Sequence, residues 1–197
     1  SKAKTAIFYS ISNTQTGLKG VSFGDSLIKR VVETLRADFP KLKTFATLSP
    51  IPGFRQWFAR HAPRMLEETP DKLRAQLGRA VGFEPAAVEH VMTALEQIAG
   101  WPERSVVRQW MLGCAAHYLG KELSESRPTD PVARFHLGNG ARVEQIHWAA
   151  DLSPKGVRQS YGLMVNYLYD LRKLDRHREM MAQGKIPVSS DVENLYF

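Results

Sequence analysis

The sequence has little cysteine and no long apolar run, and each shortage narrows what the chain can be. Its one cysteine, Cys114, cannot form an intrachain disulfide, which favours a reducing, cytoplasmic setting. No apolar stretch approaches the roughly 20 residues that cross a bilayer, so we expect no membrane partner. The chain also has no CxxC, HExxH or Walker-type glycine loop, and the spacing of its six histidines suggests no ligand set. We therefore expect no metal site.

Hydrophobic patterning predicts an α/β (α+β) fold that is interrupted by helices. Residues 5–12 and 44–48 have the composition of strands. Between them we expect a helix that is capped at Asp25 or Ser26 and ends before Pro40. The two strands and the helix would form a βαβ-like unit. Residues 54–125 are helical in pattern throughout and have the character of an insertion.

The remaining third of the chain returns to a mixed pattern. Residues 131–137 predict a short helix with Asp130 as its cap, and residues 142–148 alternate as a strand does. A final helix is expected after Ser153 and Pro154. Its apolar side would carry Val157, Tyr161, Met164, Tyr167 and Leu168.

Two short segments place a polar side chain on restricted backbone. Residues 47–54 read TLSPIPGF, in which Ser49 ends an apolar run and two prolines follow it. Residues 130–141 read DPVARFHLGNGA and place His136 just before an Asn-Gly turn. A serine and a histidine are the minimum set for proton-transfer chemistry. Taken from the residues alone, each is more often structural.

These segments belong to a set of four that runs in one order along the chain. The other two are SISNTQ with GLKGV at residues 10–21 and GLMVNY at residues 162–167. In this order the four motifs resemble the malonyl-CoA decarboxylase family. The resemblance implies a GNAT-like acyl-CoA-binding core, of which this chain is only the C-terminal part. It also implies decarboxylation of malonyl-CoA to acetyl-CoA and CO₂.

The implied reaction needs hydrogen-bond donors and one acid, and no resident cofactor. Loss of CO₂ leaves an enolate whose charge lies on the thioester oxygen, so the substrate is its own electron sink. The resemblance makes Ser49 the active-site serine, which hydrogen-bonds the substrate without forming an acyl-enzyme. It makes His136 the proton donor to the enolate carbon. Ser10 and Tyr169 are expected to support this pair or to line the floor of the pocket.

The substrate-binding loop is expected between the first strand and the first helix. Its glycines permit close approach, and free amides at a helix start suit a pyrophosphate. The sequence lacks a clean Gln/Arg-x-x-Gly-x-Gly/Ala pattern, and Ser22 stands where family members can carry an acid. The residues that the resemblance assigns to acyl-CoA contact are Lys19, Gly20, Val21, Ser22, Phe23, Gly24 and Asp25.

The basic balance of the chain suggests an anionic partner. The formal net charge is +7, and coenzyme A and nucleic acid would both suit it. No basic run alternates with aromatic residues. Two polar sites on backbone restricted by proline and glycine also count against nucleic-acid binding, because a basic surface patch does not require such backbone. We therefore expect no nucleic-acid partner. A basic nucleic-acid-binding domain nevertheless stays an alternative, and so does a GNAT-type acyltransferase with a second, acceptor cleft.

The domain organisation follows from the resemblance. Residues 1–187 are expected to be the C-terminal part of a catalytic domain, with the missing N-terminal half of the same protein as a partner and a homo-oligomer as the assembly. Residues 188–197 end in ENLYF, which resembles a protease site used to remove purification tags. We expect this segment to be a tail outside the fold.

Overall fold

The computed structural model describes residues 3–9, 24–83, 86–97 and 100–197, apart from the side chains of residues 24–27 and 29. Its helices are α1 (Gly24–Asp38), α2 (Phe54–Glu67), α3 (Asp71–Val81), α4 (Val88–Leu95), α5 (Val106–Gly120), α6 (Pro131–Gly138), α7 (Pro154–Ser160), α8 (Leu174–Ala182) and α9 (Ser190–Glu193). Its strands are β1 (Thr5–Phe8), β2 (Thr44–Thr47), β3 (Ser49–Pro50), β4 (Leu123–Ser124), β5 (Arg127–Pro128), β6 (Arg142–His147) and β7 (Met164–Leu168).

The main sheet is mixed, and β7 lies in its middle. Strand β1 runs parallel to β2, with Thr5 opposite Thr44 and Phe8 opposite Thr47. The next strands, β2 and β3, are separated only by Leu48, and both pair antiparallel with β7. On its other edge β7 pairs antiparallel with β6. The β1–α1–β2 unit is therefore the βαβ unit that the sequence predicted, with its connecting helix packed through Ile28 and Val32.

The helices α2 to α5 fall within the stretch that the sequence predicted to be helical throughout, but the end of that stretch, Leu123–Ser124, forms β4 instead. A turn with positive φ at Glu125 and Ser126 pairs it with β5.

Helices α2 to α5 share one apolar core with the sheet, because Phe58 contacts Trp110 of α5 and Tyr161 beyond α7 edge to face. Helix α2 continues to Glu67 although Pro63 lies inside it. Proline removes a helical hydrogen bond, and burial of Met65 and Leu66 in the following turn offsets that cost.

The predicted final helix is wrong in its second half. Helix α7 ends at Ser160. The residue that caps it, Tyr161, has a φ of 53°, and Gly162 follows with a φ of 79°. The chain then forms β7, whose side chains alternate between half-buried and buried. A left-handed turn directly followed by a period of two excludes a continuous helix. Tyr167 is therefore a sheet residue, and Tyr169 follows the strand.

The expectation that residues 188–197 lie outside the fold is also wrong. Val188 forms a parallel bridge with Val143 of β6, and the Ser189 amide donates to the Val143 carbonyl. Helix α9 then buries Val192 completely, and Lys121 lies 4.0 Å from the ring centre of Tyr196. An apolar segment with a free sheet edge beside it lowers its free energy by pairing there. The tag origin of the segment stays a prediction.

No helix among the described residues is long and apolar enough to cross a membrane.

Replacing Val192 tests whether this last segment stabilises the fold. Because the side chain is fully buried, we expect Val192→Ala to lower the free energy of unfolding by about 2 kcal/mol. Chemical denaturation followed by circular dichroism measures it. The exposed neighbour Asp191 is the control, and its change to Ala should stay within about 0.5 kcal/mol. Equal stability of the two variants would contradict the packing of Val192 against the core.

Candidate active site

Ser49 lies where the chain passes from β2 into β3. Side chains two residues apart on extended backbone share a face, and Ser49 Oγ donates a hydrogen bond to Thr47 Oγ1 at 2.9 Å. Thr47 Oγ1 also accepts from the Tyr167 amide at 3.3 Å. Pro50 follows at once and restricts the backbone of Ser49. The serine is thus held in place by the strand and by a neighbouring hydroxyl.

His136 is delivered by α6, which begins as the sequence predicted. Asp130 caps the helix through hydrogen bonds from the amides of Val132 and Ala133, and Pro131 occupies the first helical position. The imidazole of His136 is only 4% exposed. It stacks on the ring of Tyr167 with centroids 4.5 Å apart, so the central strand fixes its plane.

Hydrogen bonds join the two predicted catalytic residues although they are 87 positions apart. Ser49 Oγ lies 3.3 Å from His136 Nε2, and His136 Nδ1 lies 2.7 Å from the Tyr169 hydroxyl. Ser49 has one hydrogen, and it donates that hydrogen to Thr47. Nε2 must then carry the ring hydrogen and donate to Ser49, while Nδ1 accepts from Tyr169. The donors therefore run from Tyr169 through His136 and Ser49 to Thr47.

Burial sets the charge state of the histidine. It lowers the pKa of His136 from 6.5 to about 4, because the cation loses its hydration. At neutral pH the ring is an uncharged imidazole, which agrees with the accepting role of Nδ1. Such a ring can pass on its Nε2 hydrogen only if Nδ1 receives another.

The carboxylate of Asp130 connects the serine segment to the histidine helix. Its Oδ1 caps α6, while its Oδ2 accepts from the Gly53 amide at 3.3 Å and from the Tyr118 hydroxyl at 3.4 Å. Burial raises the pKa of Asp130, and burial followed by the charge of Asp130 raises that of Tyr118. A side chain at Gly53 would collide with the Tyr118 hydroxyl, so glycine is required there.

A cleft of about 270 Å³ opens above the pair. It lies beside the carboxyl ends of the parallel strands β1 and β2, which is where α/β sheets bind ligands. Its walls are apolar apart from the hydroxyls and the imidazole, which suits a small acyl group with one polar end. The lining residues are Phe8, Tyr9, Thr47, Ser49, Pro50, Val132 and His136.

A larger depression of about 600 Å³ lies at the opposite end of β2. It is bordered by Arg36, Lys43 and Arg172, and Asp170 pairs with Arg172 at 3.2 Å. Neither Ser49 nor His136 lines it. The larger of these two cavities is therefore not the one that contains the predicted catalytic pair. The smaller cleft, which Ser49 and His136 line, is the candidate active site.

Some of the predicted site residues cannot be compared with the structure. Gly24 and Asp25 begin α1, so the predicted loop leads into a helix start beyond the end of β1. The substrate-contact assignment stays a prediction for all seven loop residues. Five of these loop residues lie outside the described residues: Lys19, Gly20, Val21, Ser22 and Phe23. Ser10 lies outside them as well.

Two members of the site were missed at the sequence level. Thr47 stands two residues before Ser49 in a predicted strand, and strand periodicity alone places both on one face. Tyr167 was assigned to a helix, and that assignment hid its place beneath His136. Tyr169 was expected to support the pair, and its hydroxyl does contact the imidazole.

In the described part of the chain, no group of three or more His, Cys, Asp or Glu side chains is arranged so that it could hold a metal ion. Cys114 is fully buried, and burial raises the pKa of its thiol well above the usual value. A thiol held in the protonated state is a poor nucleophile.

Comparison with known proteins identifies the family of this fold and site. The model of the malonyl-CoA decarboxylase C-terminal domain matches residues 1–196. The mitochondrial malonyl-CoA decarboxylase of Mus musculus is 40% identical over 177 residues, which cover 85% of this chain and 36% of the mouse protein. That of Anser anser anser is 36% identical over 177 residues, which cover 86% of this chain and 35% of the goose protein.

Solved structures give the same result. The crystal structure of malonyl-CoA decarboxylase from Cupriavidus metallidurans is 47% identical, with a TM-score of 0.84 over 98% of this chain and 48% of that one. The enzyme from Rhodopseudomonas palustris is 40% identical, with a TM-score of 0.77 over 99% of this chain and 43% of that one. The chain therefore spans less than half the length of these relatives.

The protonation state of His136 is directly measurable. We expect ¹⁵N NMR of the ring nitrogens to show the Nε2–H tautomer and a titration midpoint near pH 4. Because the ring of an unfolded chain binds a proton near pH 6.5, His136 makes the fold less stable as pH falls from about 6.5 towards 4. The variant His136→Gln assigns the signal. A midpoint near 6.5 would contradict the buried, neutral ring.

Proposed function

The chain belongs to the malonyl-CoA decarboxylase family, and on that premise we propose that it carries the reacting groups for converting malonyl-CoA to acetyl-CoA and CO₂. The observation that carries the proposal is the hydrogen-bonded contact of Ser49 with His136 at the floor of an apolar cleft. Ser49 stabilises the enolate and His136 protonates it.

We place this activity in a longer protein. The relatives extend to more than twice the length that this chain matches, and we propose that an N-terminal half like theirs completes the acyl-CoA pocket. The homo-oligomer and the cytoplasmic setting stay predictions, and the mouse and goose relatives are mitochondrial proteins by name.

The first step is cleavage of the bond between the carboxylate carbon and the α-carbon. The electron pair of that bond moves into the thioester carbonyl, CO₂ leaves, and the negative charge settles on the thioester oxygen. In our proposal the Ser49 hydroxyl donates to this oxygen. A donor held in place by the strand stabilises the developing charge more strongly than bulk water does, because only the rotation of one hydroxyl is needed to reach it.

The second step is protonation of the α-carbon. His136 gives its Nε2 hydrogen to the carbon, while Nδ1 takes the hydroxyl proton of Tyr169, which lies 2.7 Å away. The imidazole ends as its other neutral tautomer, and the tyrosinate regains a proton from water. This route avoids an imidazolate and also avoids an imidazolium that burial disfavours. The net change is malonyl-CoA plus one proton to acetyl-CoA plus CO₂.

Coenzyme A itself is proposed to bind beyond the end of β1. The acyl end enters the cleft at the carboxyl ends of β1 and β2, and the glycine-containing loop from Lys19 to Asp25 holds the pyrophosphate. The support for this is the parallel β1–α1–β2 connection, since such a turn offers amide donors to phosphate. The thioester carbonyl is the electron sink, so we propose that no cofactor takes part.

Two substitutions test the proposed roles. In the full-length protein, His136→Ala should lower kcat for acetyl-CoA formation from malonyl-CoA by roughly 10²–10⁴-fold, the range of a general acid. Ser49→Ala should lower it by roughly 10²–10³-fold, the range of one oxyanion donor. Ser124→Ala changes an exposed hydroxyl on β4 and should leave the rate unchanged. A coupled acetyl-CoA assay with evolved CO₂ as the second product measures all three.

The rival functions predict different outcomes. An acyltransferase would leave malonyl-CoA intact unless an acceptor is supplied, so absence of CO₂ from the wild-type protein would sink the decarboxylase proposal. A nucleic-acid-binding domain would show salt-sensitive binding to DNA or RNA that ignores His136. Wild-type turnover that survives His136→Ala would keep the reaction but remove His136 from the proton-transfer step.

A further inference from the structure

We propose that Thr47 is a second catalytic hydroxyl, which donates a hydrogen bond to the thioester oxygen of the substrate beside Ser49. This inference rests on the proposed decarboxylation and gives a role to Thr47, a residue to which the resemblance assigns none. It starts from the hydrogen-bond count at Thr47 Oγ1.

The two acceptor positions of Thr47 Oγ1 are both filled. The Tyr167 amide, which can only donate, reaches it at 3.3 Å, and the Ser49 hydroxyl reaches it at 2.9 Å. A hydroxyl has two lone pairs and one hydrogen. No described residue accepts the hydrogen of Thr47, so this hydrogen is the unused end of the donor chain.

The unused hydrogen belongs to a residue that lines the cleft. Thr47 is 1% exposed and borders the cavity together with Ser49 and His136. A buried donor hydrogen without an acceptor costs free energy, and a ligand bound in the cleft can supply that acceptor. The group that becomes negative there during decarboxylation is the thioester oxygen.

The spacing of the two hydroxyls suits one shared acceptor. Thr47 Oγ1 and Ser49 Oγ are 2.9 Å apart, so an oxygen at ordinary hydrogen-bond distance from one can lie at the same distance from the other. When the enolate forms, Ser49 turns its hydrogen from Thr47 to the anion, and Thr47 donates its own. Two neutral donors thereby exchange a weak mutual contact for two charge-assisted hydrogen bonds, which favours the transition state over the ground state.

The strand break at Leu48 keeps this geometry. Both hydroxyl residues pair with β7, Thr47 through the Tyr167 amide and Ser49 opposite Val165. The Thr47 carbonyl also accepts from the side chain of Asn166. Backbone and side-chain hydrogen bonds to one central strand thus fix Thr47, so the donor is positioned before substrate binds.

The test compares Thr47→Val, which keeps the shape and removes the hydroxyl, with Thr47→Ser, which keeps the hydroxyl. In the full-length protein we expect Thr47→Val to lower kcat with malonyl-CoA by roughly 10²–10³-fold and to change KM by less than about threefold. Thr47→Ser should stay within about fivefold of the wild-type rate. Recovery by serine distinguishes a donor from a packing role, because serine restores the hydroxyl and lacks the methyl group.

A second measurement needs no turnover. Without Thr47 Oγ1 as its acceptor, Ser49 should donate to His136 Nε2 instead, which forces the ring hydrogen onto Nδ1. Ring ¹⁵N NMR of ligand-free Thr47→Val should therefore show a change from the Nε2–H to the Nδ1–H tautomer, while Thr47→Ser should not. If Thr47→Val does not fold, Thr47→Ala makes the same comparison.

The outcomes separate this inference from the proposed function. If the wild-type protein turns over malonyl-CoA and Thr47→Val retains kcat, Thr47 is not a donor, although the decarboxylase proposal stands. An equal loss in the valine and serine variants would also overturn it, since it would show a packing role. If the wild-type protein produces no CO₂, the decarboxylase proposal fails. If the His136 tautomer is also unchanged in Thr47→Val, then Ser49 does not donate to Thr47 and the hydrogen-bond chain is wrong as well.

Discussion

The geometry of the site depends on one buried carboxylate, Asp130. Its two oxygens accept hydrogen bonds from the first turn of α6, from the Gly53 amide and from the Tyr118 hydroxyl. Gly53 follows Ser49 by four residues, and His136 lies on α6. One side chain therefore sets both halves of the pair relative to each other. Hydrogen bonds from four donors compensate a buried charge that would otherwise be costly, which is why Asp130 can remain in the interior.

The surrounding burial determines which chemistry the pair can perform. It lowers the pKa of His136 and raises the pKa values of Tyr118 and Tyr167, so the rings near the cleft stay uncharged at neutral pH. Uncharged donors do not neutralise the carboxylate of a substrate by forming an ion pair with it. They instead favour the state in which charge has moved to an oxygen that they contact.

The sequence was sufficient for the βαβ unit, the cap of α6 and the positions of Ser49 and His136, because each is encoded by local turn and capping chemistry. It was not sufficient for β7. A run of five residues that are apolar except for Asn166 has no unique periodicity, and only the sheet around it makes it a strand. Thr47 was overlooked for a related reason, since its importance comes from its hydrogen-bond partners. The last segment was misjudged because its end resembles a tag, while Val188 pairs with the edge of β6 and Val192 is buried from helix α9.

The direction of the hydrogen-bond chain connects the fold to the chemistry. Tyr169 enters it from the far end of β7, where its amide donates to the Phe45 carbonyl of β2, and Thr47 ends it at the cleft. In the proposed mechanism, a proton given to the substrate by His136 is replaced through Tyr169, from the side away from the reacting carbon. On this route water does not have to enter the cleft to restore the donor. The central position of β7, which places Tyr167 and Tyr169 beneath one imidazole, is what makes this separation of the two sides possible.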